Sequence, residues 1–400
     1  MKSINIKDVV EDGASLFNIK RFTFQGLTFD FIPKTIDLKN VKLSKWNEIV
    51  KNWEEPIVLE NTREIKFTKE IDAILQKDYS QQERFFKVIS SLSEYPRNIM
   101  ITFNFNSLKE LLKFMRNENC ETFFDLYHGY SNFWLFVPNI KPKKYLPVSE
   151  NENKRKLTNI IDVQNYINFV KTVFEILNYK NSKPIFVPIS LKFGIRNVRE
   201  IVRYYLKKEY FYIWVDFEGY PVNEQSFGIL RNIYRTIEDF GRMDDVLLYF
   251  TNIKREIISH VKDEITPASD ILSSLVGGNI IGINREPMRI PDEKVFSKKE
   301  LKLHKARIFD RDSYYYIKLT SKNLKLSEKT ILLNDPKYNI MFNNVLLQKE
   351  IFSQCNEFLE NYKIKPYVSR KAMLNEHPKG KSLFQKIFKI KKLEKISKWF

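Results

Sequence analysis

At 400 residues, 43% of them hydrophobic and 29% charged, the chain can bury a full-sized core and is neither disordered nor fibrous in composition. Lys and Arg number 67 against 49 Asp and Glu, which favours a polyanionic partner, nucleic acid or an anionic membrane surface, over a merely solvated Lys/Glu-rich exterior. Cys120 and Cys355 lie far apart, which excludes a disulfide framework, and no apolar run reaches the ~20 residues of a membrane helix.

The first eight residues lack the apolar core of a signal peptide, so the expected compartment is the cytoplasm. Phe22 and Phe24 alternate with Thr23 and Gln25 ahead of Gly26, the pattern of a hairpin. From Pro56 a rhythm sets in. Ile57–Leu59 reads as a strand, Gln81–Leu92 as a helix ending before Pro96, and Ile99–Phe103 as a strand. An amphipathic helix to Met115 follows, with Ser107 as N-cap and Glu110 completing a capping box. Then come strand Phe133–Val137, helix Val163–Leu177, strand Pro184–Val187, helix Val198–Lys208 and strand Phe211–Val215. Helix Ser226–Phe240 and strand Val246–Phe250 continue the series.

These strands are continuous apolar runs, as when both faces of a parallel sheet are covered. Their alternation with helices demands right-handed crossovers. The expected fold class is α/β, a (β/α) TIM-type barrel over residues 56–320. A small N-terminal β-containing segment covers residues 1–55 and a helical extension residues 321–400. An open doubly wound sheet is the alternative, although no G-x-G-x-x-G follows a strand to support it. In the extension Asn343–Tyr362 reads as a helix. Lys379–Phe400 reads as a basic amphipathic tail that either packs on the domain or lies on a charged surface.

A barrel carries its chemistry at the C-terminal strand ends. Those ends offer Asn104, Asn106, Asn139, Ser190, Lys192, Asp216, Glu218, Thr251 and Asn252. A carboxylate at Asp216 can act as general base or orient a polar ligand; its alternative role is a helix cap or a surface ion pair. Asn252 is a candidate for contacting substrate. His128, His260, His304 and His377 are scattered, and no P-loop is present, so neither metal nor cofactor is expected. Two local patterns are more specific. Gly277, Gly278 and Gly282 in V-G-G-N-I-I-G would let a flat ligand approach the backbone, or would form a tight turn. Asp310 in I-F-D-R-D-S-Y-Y-Y can attack a carbon centre as in glycosyl transfer, or can sit in a β-turn before a Tyr-rich strand.

In this order the G-G-x-x-x-G stretch at Gly277, Gly278 and Gly282 and the F-D-x-x-S-Y stretch at Phe309, Asp310, Ser313 and Tyr314 resemble the tRNA-guanine transglycosylase family. The resemblance is to its archaeal tRNA-modifying branch and to the related DNA 7-deazaguanine transglycosylases. It implies a barrel enzyme that replaces guanine by a 7-deazaguanine in tRNA or DNA through a covalent aspartyl intermediate. Asp310 would be the nucleophile, the three glycines the base-contacting loop, and Ser313 a substrate contact. The chain departs from the family where a zinc-binding cysteine cluster should follow the nucleophile, because Lys322–Pro336 holds no cysteine. The family's D-S-G-x-F general-base motif is also missing, which leaves Asp216, or Asp125 in F-F-D-L-Y-H-G, for the proton. The implied partners are nucleic acid and a 7-deazaguanine base, with no membrane span and with a homo- or hetero-oligomer left open. Two alternatives stand: a non-catalytic nucleic-acid-binding subunit of the same fold, and an unrelated barrel enzyme on a small anionic substrate.

Overall fold

The computed structural model describes residues 3–147, 155–257, 264–285, 307–318 and 335–389. Two compact units are present, each assembled from separate stretches of chain. Unit 1 takes Met1–Asn5, Val58–Glu218 and Asn232–Tyr249; unit 2 takes Ile6–Ile57, Gly219–Arg231 and Phe250–Phe400.

Strands β1 (Asn5–Glu11), β2 (Asn18–Phe24) and β3 (Leu27–Phe29) make a three-stranded sheet. The expected hairpin is β2–β3, antiparallel with Phe22 opposite Phe29 and their rings stacked at 4.7 Å. Its two turn residues, Gln25 and Gly26, both have positive φ, at 51° and 80°, as a two-residue hairpin turn requires. Strand β4 (Ile36–Asp37) and helix α1 (Trp46–Val50) follow in the same unit.

Unit 1 is built on parallel strands. β5 (Leu59–Ile65) precedes helices α2 (Thr68–Leu75) and α3 (Tyr79–Phe86). Lys87 ends α3 in the left-handed region at φ 57°, so the helix stops short of the expected Leu92 and a single 3-10 turn, Ser90–Leu92, follows. Next come β6 (Arg97–Phe103), α4 (Leu108–Met115), α5 (Asn119–Tyr130), β7 (Leu135–Phe136) and β8 (Asn139–Ile140). The Ser107 cap is formed, its hydroxyl accepting from Glu110 N at 3.3 Å. Strands β9 (Lys143–Pro147) and β10 (Arg155–Asn159) pair antiparallel. The alternation resumes with α6 (Val163–Asn178), β11 (Ile185–Ser190), α7 (Gly194–Lys207) and β12 (Tyr212–Asp216). It continues through α8 (Glu224–Asp239) and β13 (Leu247–Thr251), each of which contributes residues to both units.

β5 runs parallel to β6 and β6 to β8, while β7 runs parallel to β11 and β11 to β12. β7 and β8 are one strand interrupted at Pro138, which has no N–H to offer a ladder. β13 follows β12 in the same sheet. This curled parallel row with helical crossovers is a (β/α)-barrel-like fold. Ile99, Ile101, Phe186, Ile213 and Trp214 are all buried, so both sheet faces are covered, as the continuous apolar runs predict.

In unit 2, β14 (Ile253–Lys254) runs parallel to β17 (Asn284–Arg285). Between them in sequence lie β15 (Ile265–Pro267), α9 (Leu272–Leu275) and β16 (Ile280–Ile281). β16 lies beside the end of β13, with Gly282 N donating to Phe250 O at 2.6 Å, and Ile281 also bridges Lys34 in parallel. β18 (Arg307–Asp310) and β19 (Tyr315–Lys318) form an antiparallel hairpin joined by β15. Helix α10 (Pro336–Asn361) begins earlier than expected because Asp335 caps it, accepting from Tyr338 N at 3.1 Å, and Pro336 suits its first turn. Short helices α11 (Lys365–Val368), α12 (Ala372–Glu376) and α13 (Pro378–Ile387) complete the unit. The rest of the expected basic tail, residues 390–400, lies outside the described residues. Among the described residues no helix is long and apolar enough to cross a membrane.

Trp214 anchors the sheet of unit 1: its side chain is fully buried and its indole N–H donates to Val137 O at 3.0 Å. Trp214→Ala should lower the free energy of unfolding by roughly 3–5 kcal/mol in urea titrations; a loss under about 1 kcal/mol would contradict this placement.

Candidate functional site

The register of β11 on β12 sets Ser190 beside Asp216, at the C-terminal ends of both strands. Asn139 of β8 reaches the same place. Its amide donates to Asp216 Oδ2 at 3.0 Å, and Glu218 N donates to Asp216 Oδ1 at 2.8 Å. Tyr166, on the buried face of α6, fixes the amide's orientation by donating its hydroxyl to Asn139 Oδ1 at 2.9 Å. Glu218 is held by Ser190, whose hydroxyl donates to Oε1, and by Lys192, whose ammonium stands 2.8 Å from Oε2.

This group is withdrawn from water. Asp216 is 1% exposed and Glu218 7%, whereas the Lys192 side chain remains 27% exposed and forms the outer edge. Burial pushes the Glu218 carboxyl above its usual range; the neighbouring Asp216 adds to this, while Lys192 and Ser190 pull against it. Glu218 also has φ 48°, and Gly219 after it φ 81°. A non-glycine residue in the left-handed region carries local strain, and here it turns the second carboxylate back beside the first. Chemically, the arrangement holds one carboxylate in acceptor contacts and favours the protonated form of the other. General acid–base work on a polar substrate uses that division.

Unit 2 has a separate buried carboxylate. Asp270 accepts from Tyr316 OH at 2.8 Å, Asn284 Nδ2 at 2.5 Å and Ile271 N at 3.0 Å. Burial pushes its carboxyl up to about 7, against the Tyr316 hydrogen bond and the charges of Lys34 and Arg255. The Arg255 guanidinium lies over the Tyr316 ring at 4.9 Å and pairs with Glu256 at 3.0 Å. Burial also disfavours the Glu256 charge, yet Arg255 and Arg307 outweigh it and hold that carboxyl below its usual range. A polar cavity lined by Asp37, Asn40, Arg255, Asn284, Asn343 and Asn344 adjoins this group, but its volume is about 10 Å³. That is room for a single water molecule. A second hollow, of about 360 Å³, is mainly apolar, lined by Val222, Ile257, Pro267, Leu272, Met373 and Leu383 among others.

The residues singled out by sequence fall in different places. Asp216 belongs to the buried group of unit 1. Asp125, on α5, is an exposed residue paired with Lys180 at 2.5 Å, and it makes no hydrogen bond or ion pair with that group. Asp310 ends β18 in unit 2, where its carboxylate serves its own hairpin: Ser313 Oγ donates to Oδ2 and Asp312 N to Oδ1 at 3.4 Å. Ser313 is thereby part of the same turn. The glycine pair ends α9, with Gly277 N donating to Ser274 O at 3.2 Å and Gly278 N to Ser273 O at 3.0 Å. Gly277 has φ 96°. Gly282 uses its N–H in the sheet and its carbonyl for Lys34 Nζ. Asn252 has φ 55°, and its backbone bonds Ile283 O at 2.9 Å and Gly219 N at 2.8 Å. Tyr166 was missed because a tyrosine on the apolar stripe of a helix reads as core. Asp270 gave no signal beyond standing before an apolar run. Among the described residues no group of three or more His, Cys, Asp or Glu side chains could hold a metal ion. No family model matches the chain, and no curated protein matches it.

Two outcomes follow from this geometry. A Cβ on Gly278 would lie 2.5 Å from Ile281 Cδ1 and 2.9 Å from Phe250 Cδ2, so Gly278→Ala should destabilise unit 2 by roughly 1–3 kcal/mol through overpacking. Unchanged thermal unfolding would show that the position is not packed as described. The second outcome concerns pH. Because the folded-state pKa of Glu218 is raised, the folded protein keeps that proton where the unfolded chain has released it. Its stabilising effect is therefore complete below the ordinary Glu value of about 4.3 and declines as pH rises through the folded value. Glu218→Gln should remove this decline, so its melting temperature should gain on wild type from pH 4 to 8. Parallel curves would contradict the raised value.

Proposed function

We propose that the protein is a TIM-type barrel enzyme acting on the glycosidic bond of a nucleoside in tRNA or DNA, with Asp216 and Glu218 as its catalytic carboxylates. The observation that carries this reading is the buried Asn139–Asp216–Glu218–Lys192 group at the ends of adjacent parallel strands, where barrel enzymes keep their chemistry. The strand–helix repeat supports a closed barrel, and the formal charge of +18 supports a polyanionic substrate. Glu218, protonated, would deliver its proton to the departing base as the C1′–N bond breaks. Asp216 would take C1′ as an ester. An incoming base would then displace Asp216 and return its proton to Glu218, so that the pair ends as it began. The sequence resemblance names the exchange as guanine for a 7-deazaguanine. It places the nucleophile at Asp310 instead, and a single assay separates the two assignments.

The assay is release of labelled guanine from tRNA or DNA in the presence of a 7-deazaguanine. Asp216→Asn and Glu218→Gln should each lower the rate by roughly 100-fold or more. Asp310→Asn should leave it within a few-fold and cost about 0.5–1.5 kcal/mol of stability, the worth of one turn hydrogen bond. If Asp310→Asn abolishes exchange and Asp216→Asn does not, the nucleophile is Asp310. If wild type neither exchanges nor releases a base, the enzymatic reading fails and a binding subunit remains.

A further inference from the structure

Helix α7 starts at the strand end that carries Ser190, joined to it by the one-turn segment Leu191–Phe193. Its inner face buries Val198, Ile201, Val202, Tyr205 and Leu206. Its outer face sets Arg196, Arg199, Arg203 and Lys207 at steps of three or four residues; exposed Glu200, four after Arg196 and three before Arg203, is the one acidic residue among them. Residues so spaced form one row along a helix. Arg196, Arg203 and Lys207 are exposed, and among the described residues none has a carboxylate within ion-pair distance. The nearest approach in the row is Arg199 to Asp239 at 3.8 Å, with both side chains more than 40% exposed, a weak contact. From Arg196 to Lys207 the row runs about 16 Å at 1.5 Å per residue.

We infer that the outer face of α7 is a phosphate-binding surface that holds the backbone of the nucleic acid leading into the Asp216–Glu218 site. This rests on the reading of unit 1 as a nucleic-acid enzyme and names the surface that would hold its substrate. A solvated helix face ordinarily balances acids against bases; this one sets four bases against the single Glu200, in a row that starts within two turns of Ser190 along the chain. Nucleic-acid strands place a phosphate about every 3.4 Å along the axis, so a row of this length meets several phosphates at once. Ile195 at the head of the helix is 49% exposed.

The test uses the full chain and the triple variant Arg196→Glu, Arg203→Glu, Lys207→Glu. Binding to labelled duplex DNA and labelled tRNA is read by fluorescence anisotropy between 50 and 200 mM salt. A second variant reverses an equal number of exposed charges elsewhere, at Lys363, Arg370 and Lys381 of unit 2. The α7 variant should bind at least roughly tenfold more weakly, and its log affinity against log salt should flatten by about 2.7 on duplex, three contacts at 0.9 each. The unit 2 variant should change neither as much. Equal weakening in both variants, or none in the α7 variant, would overturn the assignment while leaving the enzyme reading intact. Loss of binding only to phosphatidylserine vesicles would overturn it in favour of a membrane surface. If wild type binds neither nucleic acid at 50 mM salt, the nucleic-acid reading itself falls.

Discussion

Two carboxylates two residues apart, both taken out of water at the C-terminal end of a parallel strand, are the constraint to which the rest of unit 1 answers. Withdrawing even one such group costs several kcal/mol unless donors replace the lost water. Here the donors come from Asn139, the Glu218 backbone N–H, Ser190 and Lys192, which belong to different strands and to the turns after them. A one-residue slip of β11 against β12 would remove Ser190 from Asp216 and leave Glu218 facing an apolar side chain. The register of the sheet and the solvation of the acids are therefore one requirement. Tyr166 extends it to helix α6, because only with its hydroxyl on Asn139 Oδ1 does the amide present its NH₂ to Asp216.

A protein gains little stability from burying two acids in this way, and replacing a buried polar network by apolar side chains is often neutral or favourable. The strained backbone at Glu218 adds a second cost at the same place. Persistence of both at the end of parallel strands accords with chemistry at that position. Unit 2 offers a contrast. Asp270, Tyr316 and Asn284 are as well connected, yet the polar cavity beside them admits no more than a water molecule, and Glu256 is clamped between two arginines. That group has the marks of a structural network tying the β18–β19 hairpin to the chain around Arg255.

Much of the fold was legible in the sequence because its strands are apolar on both faces and its helices keep one polar stripe. The hairpin at Gln25–Gly26 and the Ser107 cap were read from single residues whose chemistry admits few other conformations. Boundaries were lost where a backbone choice, not a pattern, decides them: Lys87 turns left-handed and stops α3 early, and α7 begins at Gly194 because the turn after Ser190 leads straight into it. Of the site, Asp216 was legible from its strand end. The local surroundings of Gly277, Gly278 and Asp310 were not, because a glycine pair or a turn aspartate looks the same in sequence whether its polar groups face a ligand or its own turn. In the structure their groups are engaged by α9 and by the β18–β19 turn.

The proposed covalent step is assigned to the buried pair of unit 1. It is tested most directly by trapping: denaturing protein mixed with labelled tRNA or DNA, digesting it, and locating by mass spectrometry the peptide that carries the sugar. The account predicts an ester on Asp216, absent in Asp216→Asn and formed more slowly in Glu218→Gln. An ester on Asp310 would contradict it.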